Sequence, residues 1–235
     1  MAKGTLFLIP ATMSDGKVES VLPEGTLVII RRLDFFIVEE LRTARRFLIR
    51  AGIQKSIDEL NFLVFNEHSG VKDIHEYLVP ALNGHDTGLL SEAGVPCVAD
   101  PGSQVARAAH ELGIRVVPLT GPSSILLALM ASGFNGQNFA FQGYLPADKM
   151  LRIRKIRELE KLIFEKDQTQ IFIETPYRNK QVFESLINVC KSEIQLCIAT
   201  DITGENEMIQ SMSIGEWHGR KPDVHKRPTI FLLYR

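Results

Sequence analysis

The sequence has little of what would announce a function directly. Its cysteines are three, Cys97, Cys190 and Cys197, an odd number at long spacing with no CxxC pair. That argues against a disulfide framework or a zinc site and for a reducing compartment. All three stand in apolar surroundings, where packing explains them better than reactivity. No stretch approaches the ~18 apolar residues of a spanning helix. The apolar run inside MAKGTLFLIPATMSDG is too short for a signal-peptide core. No membrane association and a cytoplasmic location are the expectations. Charge of one sign is missing too: 27 basic against 28 acidic residues give a net charge of −1. A general polyanion binder usually shows in that sum, although a local basic patch remains open. There is no GxGxxG after a strand, no GxxxxGK[ST] and no HExxH. His75-Glu76 and His110-Glu111 lack a second histidine at the required spacing. A dehydrogenase, an ATPase and a zinc hydrolase all lose ground, and no metal site is expected.

What the chain does have is an alternation of strand-length apolar runs with helix-length amphipathic stretches. Leu6 to Ile9, Phe35 to Val38, Leu60 to Phe65, the run ending at Leu89 to Ser91, and Ile114 to Leu119 read as strands. Between them, Leu41 to Ala51 reads as a helix stopped by Gly52, and Ser69 caps a helix running to about Leu82. Asp100-Pro101 opens a third helix, with Asp as N-cap and Pro at the first helical position. Ser123 or Ser124 caps a fourth. Thr26 to Ile30 is ambiguous: its β-branched residues favour a strand, and context can make it a helix. Repeated β-α-β with short connections implies a mainly parallel sheet covered on both faces. The second half has strands over Phe139 to Tyr144, Gln170 to Glu174, Ile194 to Thr200, Glu207 to Ser213 and Thr229 to Tyr234. Helices over Asp148 to Lys166 and Arg178 to Cys190 do not separate all of them, so this sheet should be mixed. Two α/β domains are expected, 1–118 and 119–235.

Three segments stand where ligands of open α/β sheets bind, beyond the carboxyl ends of strands. The first is SEAGVPCVADPG, Ser91 to Gly102, in which Gly94 permits close backbone approach and Pro96 stiffens the loop. A turn that merely joins strand to helix explains it equally well. The second is Thr120-Gly121-Pro122-Ser123-Ser124, whose hydroxyls and amides suit a carboxylate or a ribose, with helix capping as the plainer explanation. The third is Asn66-Glu67-His68, which composition alone leaves as loop residues.

SEAGVPCVADPG, followed by RVVPLTGPSSILLALMASG and FQGYLP, resembles the tetrapyrrole methylase superfamily. Phe65-Asn66-Glu67-His68, Phe172 to Arg178 (FIETPYR) and Glu39 to Arg46 (EELRTARR) are similar to the branch of ribosomal RNA small-subunit (16S) cytidine 2′-O-ribose methyltransferases. The similarity runs over most of the chain in order and spacing. It implies two α/β domains, S-adenosylmethionine held in a cleft between them, a homodimer and no metal. Carried over, the cofactor contacts are Pro10, Gly94, Val95, Pro96, Val98, Ala99, Ser123, Ser124, Ala199, Pro228 and Thr229. Glu67 and His68 are the expected bases for a ribose hydroxyl, with Glu39, Glu40 and Glu174 behind them. Arg42, Arg45, Arg46, Asn66, Glu174 and Arg178 are expected at the acceptor, which is ribosomal RNA or the small subunit.

The sequence departs from the branch at Thr12-Met13-Ser14-Asp15, where a proline-isoleucine-glycine-asparagine loop is usual. It departs again at Glu39-Glu40-Leu41-Arg42, and it stops at Arg235 where the branch often continues. These differences fall on the acceptor side. Two rivals therefore stay open: a methyltransferase of the same fold acting on a tetrapyrrole-like small molecule, and a non-catalytic cofactor-binding module. A second basic cluster, Lys149, Arg152, Arg154, Lys155, Arg157 and Lys161, reads either as a phosphate contact or as a solvated helix face broken by Glu158, Glu160 and Glu165.

Overall fold

Three short strands of the first half are buried on both sides or nearly so, and parallel pairing explains why. The computed structural model describes residues 2–65 and 74–235. It falls into two compact units, 1–123 and 124–235. The first is built from β1 (Thr5–Ile9), α1 (Glu24–Arg32), β2 (Phe35–Val38), α2 (Leu41–Arg50), β3 (Asn61–Val64), α3 (Val79–Leu82), β4 (Thr87–Leu90), α4 (Ser103–Glu111) and β5 (Arg115–Pro118). The strands form one sheet in the order β3-β2-β4-β1-β5, and every pair is parallel.

Side chains alternate across that sheet. Phe7, Ile9, Phe36, Val38 and Leu90 join Leu27 and Ile30 of α1 and Phe47 and Leu48 of α2 on one face. Leu6, Ile37 and Leu89 join Leu78, Ala81, Val105 and Ala108 on the other. The ambiguous Thr26 to Ile30 is therefore helix, inside α1. Thr26, Leu27 and Ile30 are its buried residues, a helical spacing. The segment must also cross over between two parallel strands, which a hairpin cannot do. Of the helix expected from Ser69, the part through 73 lies outside the described residues. A 3-10 turn, Ile74–Leu78, precedes α3.

The second unit contains α5 (Ser124–Ser132), β6 (Phe139–Tyr144), α6 (Lys149–Lys166), β7 (Thr169–Glu174), α7 (Asn179–Val189), β8 (Gln195–Thr200), β9 (Met208–Ser213), α8 (Ile214–Trp217) and β10 (Thr229–Tyr234). Its sheet runs β6-β7-β10-β8-β9. β6 and β7 are parallel, and the other neighbours are antiparallel, so the sheet is mixed as expected. Phe172 and Phe231 stack at 5.7 Å in a core shared with Ile156, Ile163, Leu186 and Trp217. The Trp217 indole N–H is satisfied by the Leu196 carbonyl at 2.9 Å. Among the described residues, no helix is long and apolar enough to cross a membrane.

Candidate functional site

In the first unit, the loops that follow β1, β4 and β5 converge at the carboxyl edge of the sheet, because these strands are neighbours there. Ala11 and Gly94 form an isolated antiparallel bridge: Ala11 N–H donates to Gly94 O at 2.8 Å, and Gly94 N–H to Ala11 O at 3.2 Å. Pro10 lies directly against Gly121, where a Cβ would stand 2.2 Å from the proline Cγ. Thr26 Oγ1 donates to Thr120 O at 2.9 Å, and Leu119 N–H to Leu8 O at 2.9 Å, which fixes the third loop to the first. Pro10 and the Gly94 loop are thus brought together, and Ser123 follows on the same chain segment.

The Gly94 loop is unusual in its backbone. Gly94, Cys97 and Ala99 have φ of 70°, 67° and 62°. The left-handed region is costly for the two residues that carry a Cβ, and such strain clusters at functional loops. Asp100 holds the loop closed: its Oδ1 accepts from Cys97 N–H at 2.9 Å and Gly102 N–H at 2.8 Å. This corrects the expectation for Asp100-Pro101. The helix α4 starts at Ser103 with Gly102 as its N-cap, so the Asp100 carboxylate is spent on the loop and Pro101 precedes the helix. The amides of Val95, Val98 and Ala99 have no partner among the described residues. Burial, and then the Asp100 charge, push the Cys97 thiol up to about 11.

In the second unit, Ala199, Pro228, Thr229 and Glu174 lie together at one end of the mixed sheet. Thr229 pairs with Thr200 on one side and Glu174 on the other, and Ala199 with Ile230. The Pro228 carbonyl accepts from Asp201 N–H at 3.0 Å. The buried Glu174 is committed internally, accepting from Thr175 N–H at 2.6 Å and from Arg178 Nη2 at 2.5 Å. Arg178 also donates to Leu145 O at 3.0 Å. These contacts make the pair a brace of the β7–α7 turn. Asn179, fully buried, donates from Nδ2 to Val224 O, Arg227 O and Thr229 Oγ1, pinning the segment that leads into β10.

The basic residues of α2 divide by partner. Glu40 is its N-cap, accepting from Arg42 N–H at 2.9 Å and Thr43 N–H at 2.5 Å. These bonds, that from Arg42 N–H foremost, hold its carboxyl below the usual range. Arg45 lies over the Phe62 ring at 5.6 Å and 3.8 Å from Asp58. Arg42 and Arg46 are exposed. Arg46 and Arg50 line a cavity of about 270 Å³ with Thr12, Met13, Asp15 and Glu92 among its walls. Asn66, Glu67 and His68 lie outside the described residues; they follow β3, the edge strand beside β2. On α6 the basic cluster divides as well, with Lys149, Arg154, Arg157 and Lys161 exposed. Arg152 is buried on Ser185 Oγ, Pro146 O and Ala147 O, and Lys155 and Lys161 pair with Glu158 and Glu165.

Over 218 residues the chain is 30% identical to the ribosomal RNA small subunit methyltransferase I of Streptococcus pyogenes serotype M3, covering 91% of this chain and 70% of the relative. The chain belongs to the ribosomal RNA small subunit methyltransferase I family. The family's Pseudomonas aeruginosa member is 28% identical over 218 residues, covering 93% of this chain and 73% of that one. Its Haemophilus influenzae member is 28% identical over 233 residues, covering 98% and 78%. No protein-family model matches the chain. Among solved structures, the methyltransferase CobJ superposes with a TM-score of 0.65 at 16% identity, covering 99% of this chain and 94% of that one. The cobalamin biosynthetic enzyme cobalt precorrin-4 methyltransferase, CbiF, gives 0.62 at 12%, covering 98% and 94%. At these identities the two structures speak for the fold, which is that of the tetrapyrrole methyltransferases. The protein is a methyltransferase.

Three residues of this family member have roles that the sequence reading did not assign to them. Gly121 looked like any turn glycine, and only the proline packed on it gives it a reason. Arg50 sat in the same basic run as Arg46, and nothing in the spacing tells a clamp from a free cation. Asn179 follows the FIETPYR segment as an ordinary helix-start polar residue; its three carbonyl and hydroxyl partners come from a segment 45 to 50 positions away.

Proposed function

We propose that this methyltransferase uses S-adenosylmethionine to methylate the 2′-hydroxyl of a cytidine ribose in small-subunit (16S) ribosomal RNA. The observation that carries the reading is the joined Ala11–Gly94 loop pair at the carboxyl edge of the parallel sheet, in a chain whose relatives are named ribosomal RNA small subunit methyltransferases. The residues fit the cofactor. The Gly94 loop offers free amides at Val95, Val98 and Ala99 to a carboxylate or ribose hydroxyl, and Pro96 is buried behind them. Pro10 and Ser123 border the same loop. Ser124, Ala199, Pro228 and Thr229 are the contacts we assign to the second unit. When bound, S-adenosylmethionine supplies a methyl group already activated on a sulfonium. The protein's own work is then to align donor and acceptor and to take up the hydroxyl proton. We assign that proton to Glu67 or His68. Arg42 and Arg46 are the exposed cations for the acceptor's phosphates.

The protein works in the cytoplasm, where its RNA is, as a homodimer. Supporting self-association, Leu126 and Met130 on the apolar helix α5 are 50% and 78% exposed. Incubating purified protein with labelled S-adenosylmethionine and small ribosomal subunits from cells lacking it should place label on a cytidine ribose. Label on tetrapyrrole precursors instead, or none with cofactor bound, would reject the reading. Glu67→Gln or His68→Ala should lower kcat about 10²-fold with cofactor affinity unchanged. Met130→Glu should yield monomers by sedimentation.

A further inference from the structure

The cavity beside α2 has two kinds of wall, both from the first unit. Ala11, Met13, Phe47 and Ala93 make part of its lining apolar, and Arg46, Arg50, Asp15 and Glu92 make part of it polar. The two arginines differ in what they hold. Arg50 Nη2 donates to Ser14 O at 3.3 Å and to Gly16 O, and its Nη1 lies 3.9 Å from Asp15 Oδ1. Its guanidinium is therefore used up in fixing the 12–16 loop, the segment that departs from the family's usual one. Arg46 stands four residues earlier on the same helix face, exposed, with no ion-pair partner among the described residues. With Asp15 answered by Arg50, Arg46 and Glu92 set the charge of the space. That combination suits a ligand with an anion at one end and a hydrogen-bond donor at the other.

We propose that this cavity seats one nucleotide of the acceptor RNA, with Arg46 on its phosphate and Arg50 as the positioning residue that holds the loop wall. The proposal rests on the RNA reading above. A volume of about 270 Å³ is just below the roughly 300–1,000 Å³ of drug-sized sites. Space of that size suits a base with its sugar. Met13 offers an apolar edge to the base, with the buried Phe47 behind it, and Glu92 is an acceptor for an amino group such as that of cytosine. The position is also right for transfer. Ala11, a wall residue, is the partner of Gly94, and a Cβ on Gly94 would lie 3.7 Å from Met13 Sδ. The seated nucleotide would border the loop assigned to the cofactor.

The test compares Arg46→Gln, Arg46→Lys, Arg50→Met and wild type on small ribosomal subunits over a range of salt, with cofactor affinity measured separately. Arg46→Gln should raise KM for RNA about tenfold and flatten the log–log salt slope by about 0.7–0.9, one phosphate's worth. Arg46→Lys should restore the slope. Arg50→Met should raise KM with the slope unchanged and speed tryptic cleavage after Lys17, because the loop loses its clamp. All three should bind S-adenosylmethionine as wild type does. An unchanged salt slope in Arg46→Gln, or an Arg50→Met loop as protease-resistant as wild type, would overturn the assignment while leaving RNA methylation standing. Absence of wild-type turnover on RNA would instead remove the reading on which it rests.

Discussion

Replacing Gly121 by alanine isolates the contact that ties the β5 loop to the β1 loop. The new Cβ would stand 2.2 Å from Pro10 Cγ, 2.5 Å from Pro10 Cβ and 2.9 Å from Leu22 Cδ2. Carbon atoms prefer roughly 3.5–4.0 Å, so something must move by more than about 1 Å. Pro10 cannot rotate out of the way, since its ring is part of the backbone. Leu22 is buried and has no room either. The strain must enter the backbone of residues 10–11, and with it the bridge to Gly94. Overpacking of this kind costs about 1–3 kcal/mol, and the displaced loop should weaken S-adenosylmethionine binding about tenfold. Urea unfolding followed by far-UV circular dichroism reads the first effect, and calorimetric titration the second. The single tryptophan, Trp217, belongs to the second unit, so its fluorescence should shift less than the dichroism. Gly136→Ala, where an added Cβ meets nothing within 4 Å, is the control. A Gly121→Ala protein within about 0.5 kcal/mol of wild type, with undiminished cofactor affinity, would refute the claim that this contact shapes the site.

Asn179→Ala should destabilise the second unit by about 2–4 kcal/mol in urea unfolding. It strips the buried Val224 carbonyl of its side-chain donor and leaves the part-buried Arg227 carbonyl to Thr229 Oγ1 alone. Glu40→Gln should weaken α2 only above the acid range. The folded Glu40 pKa is depressed, so its contribution is present above the ordinary value of 4.5 and is lost as pH falls through the folded value. The difference in melting temperature between the two proteins should therefore close on acidification; a constant gap would show that the cap is not electrostatic. Burial pushes Cys190 and Cys197 up to about 12, and Cys97 up to about 11. At pH 8 all three should react with a disulfide reagent far more slowly than after denaturation, and fast labelling of Cys97 would contradict this.

Much of the fold was legible because buried parallel strands leave plain apolar runs, as in Phe35 to Val38, and because the long helices carry apolar stripes. Thr26 to Ile30 was not, since its local preference opposes a demand set by topology: β1 and β2 run the same way and need a helix between them. Asp100 misled for a related reason. Asp followed by Pro has the chemistry of a helix start, but the same carboxylate closes the loop three residues earlier. In the candidate site, the converging loops of the first unit were visible through glycine and proline at strand ends. The division of labour among Arg42, Arg45, Arg46 and Arg50 was not, because it depends on whether Phe62, Asp58 or the 14–16 carbonyls come within reach. That is decided by packing.

The second sheet carries one more consequence, in the order of its synthesis. β10, the last strand of that sheet to be made, lies between β7 and β8, which do not pair with each other. Until residues 229–234 emerge, the unit is two half-sheets, β6-β7 and β8-β9, each with an open inner edge able to recruit a neighbouring chain. A nascent chain whose residues 229–234 have yet to leave the ribosome would therefore hold a finished first unit and an unzipped second one. The Asn179 side chain, already translated, waits for the segment it will pin.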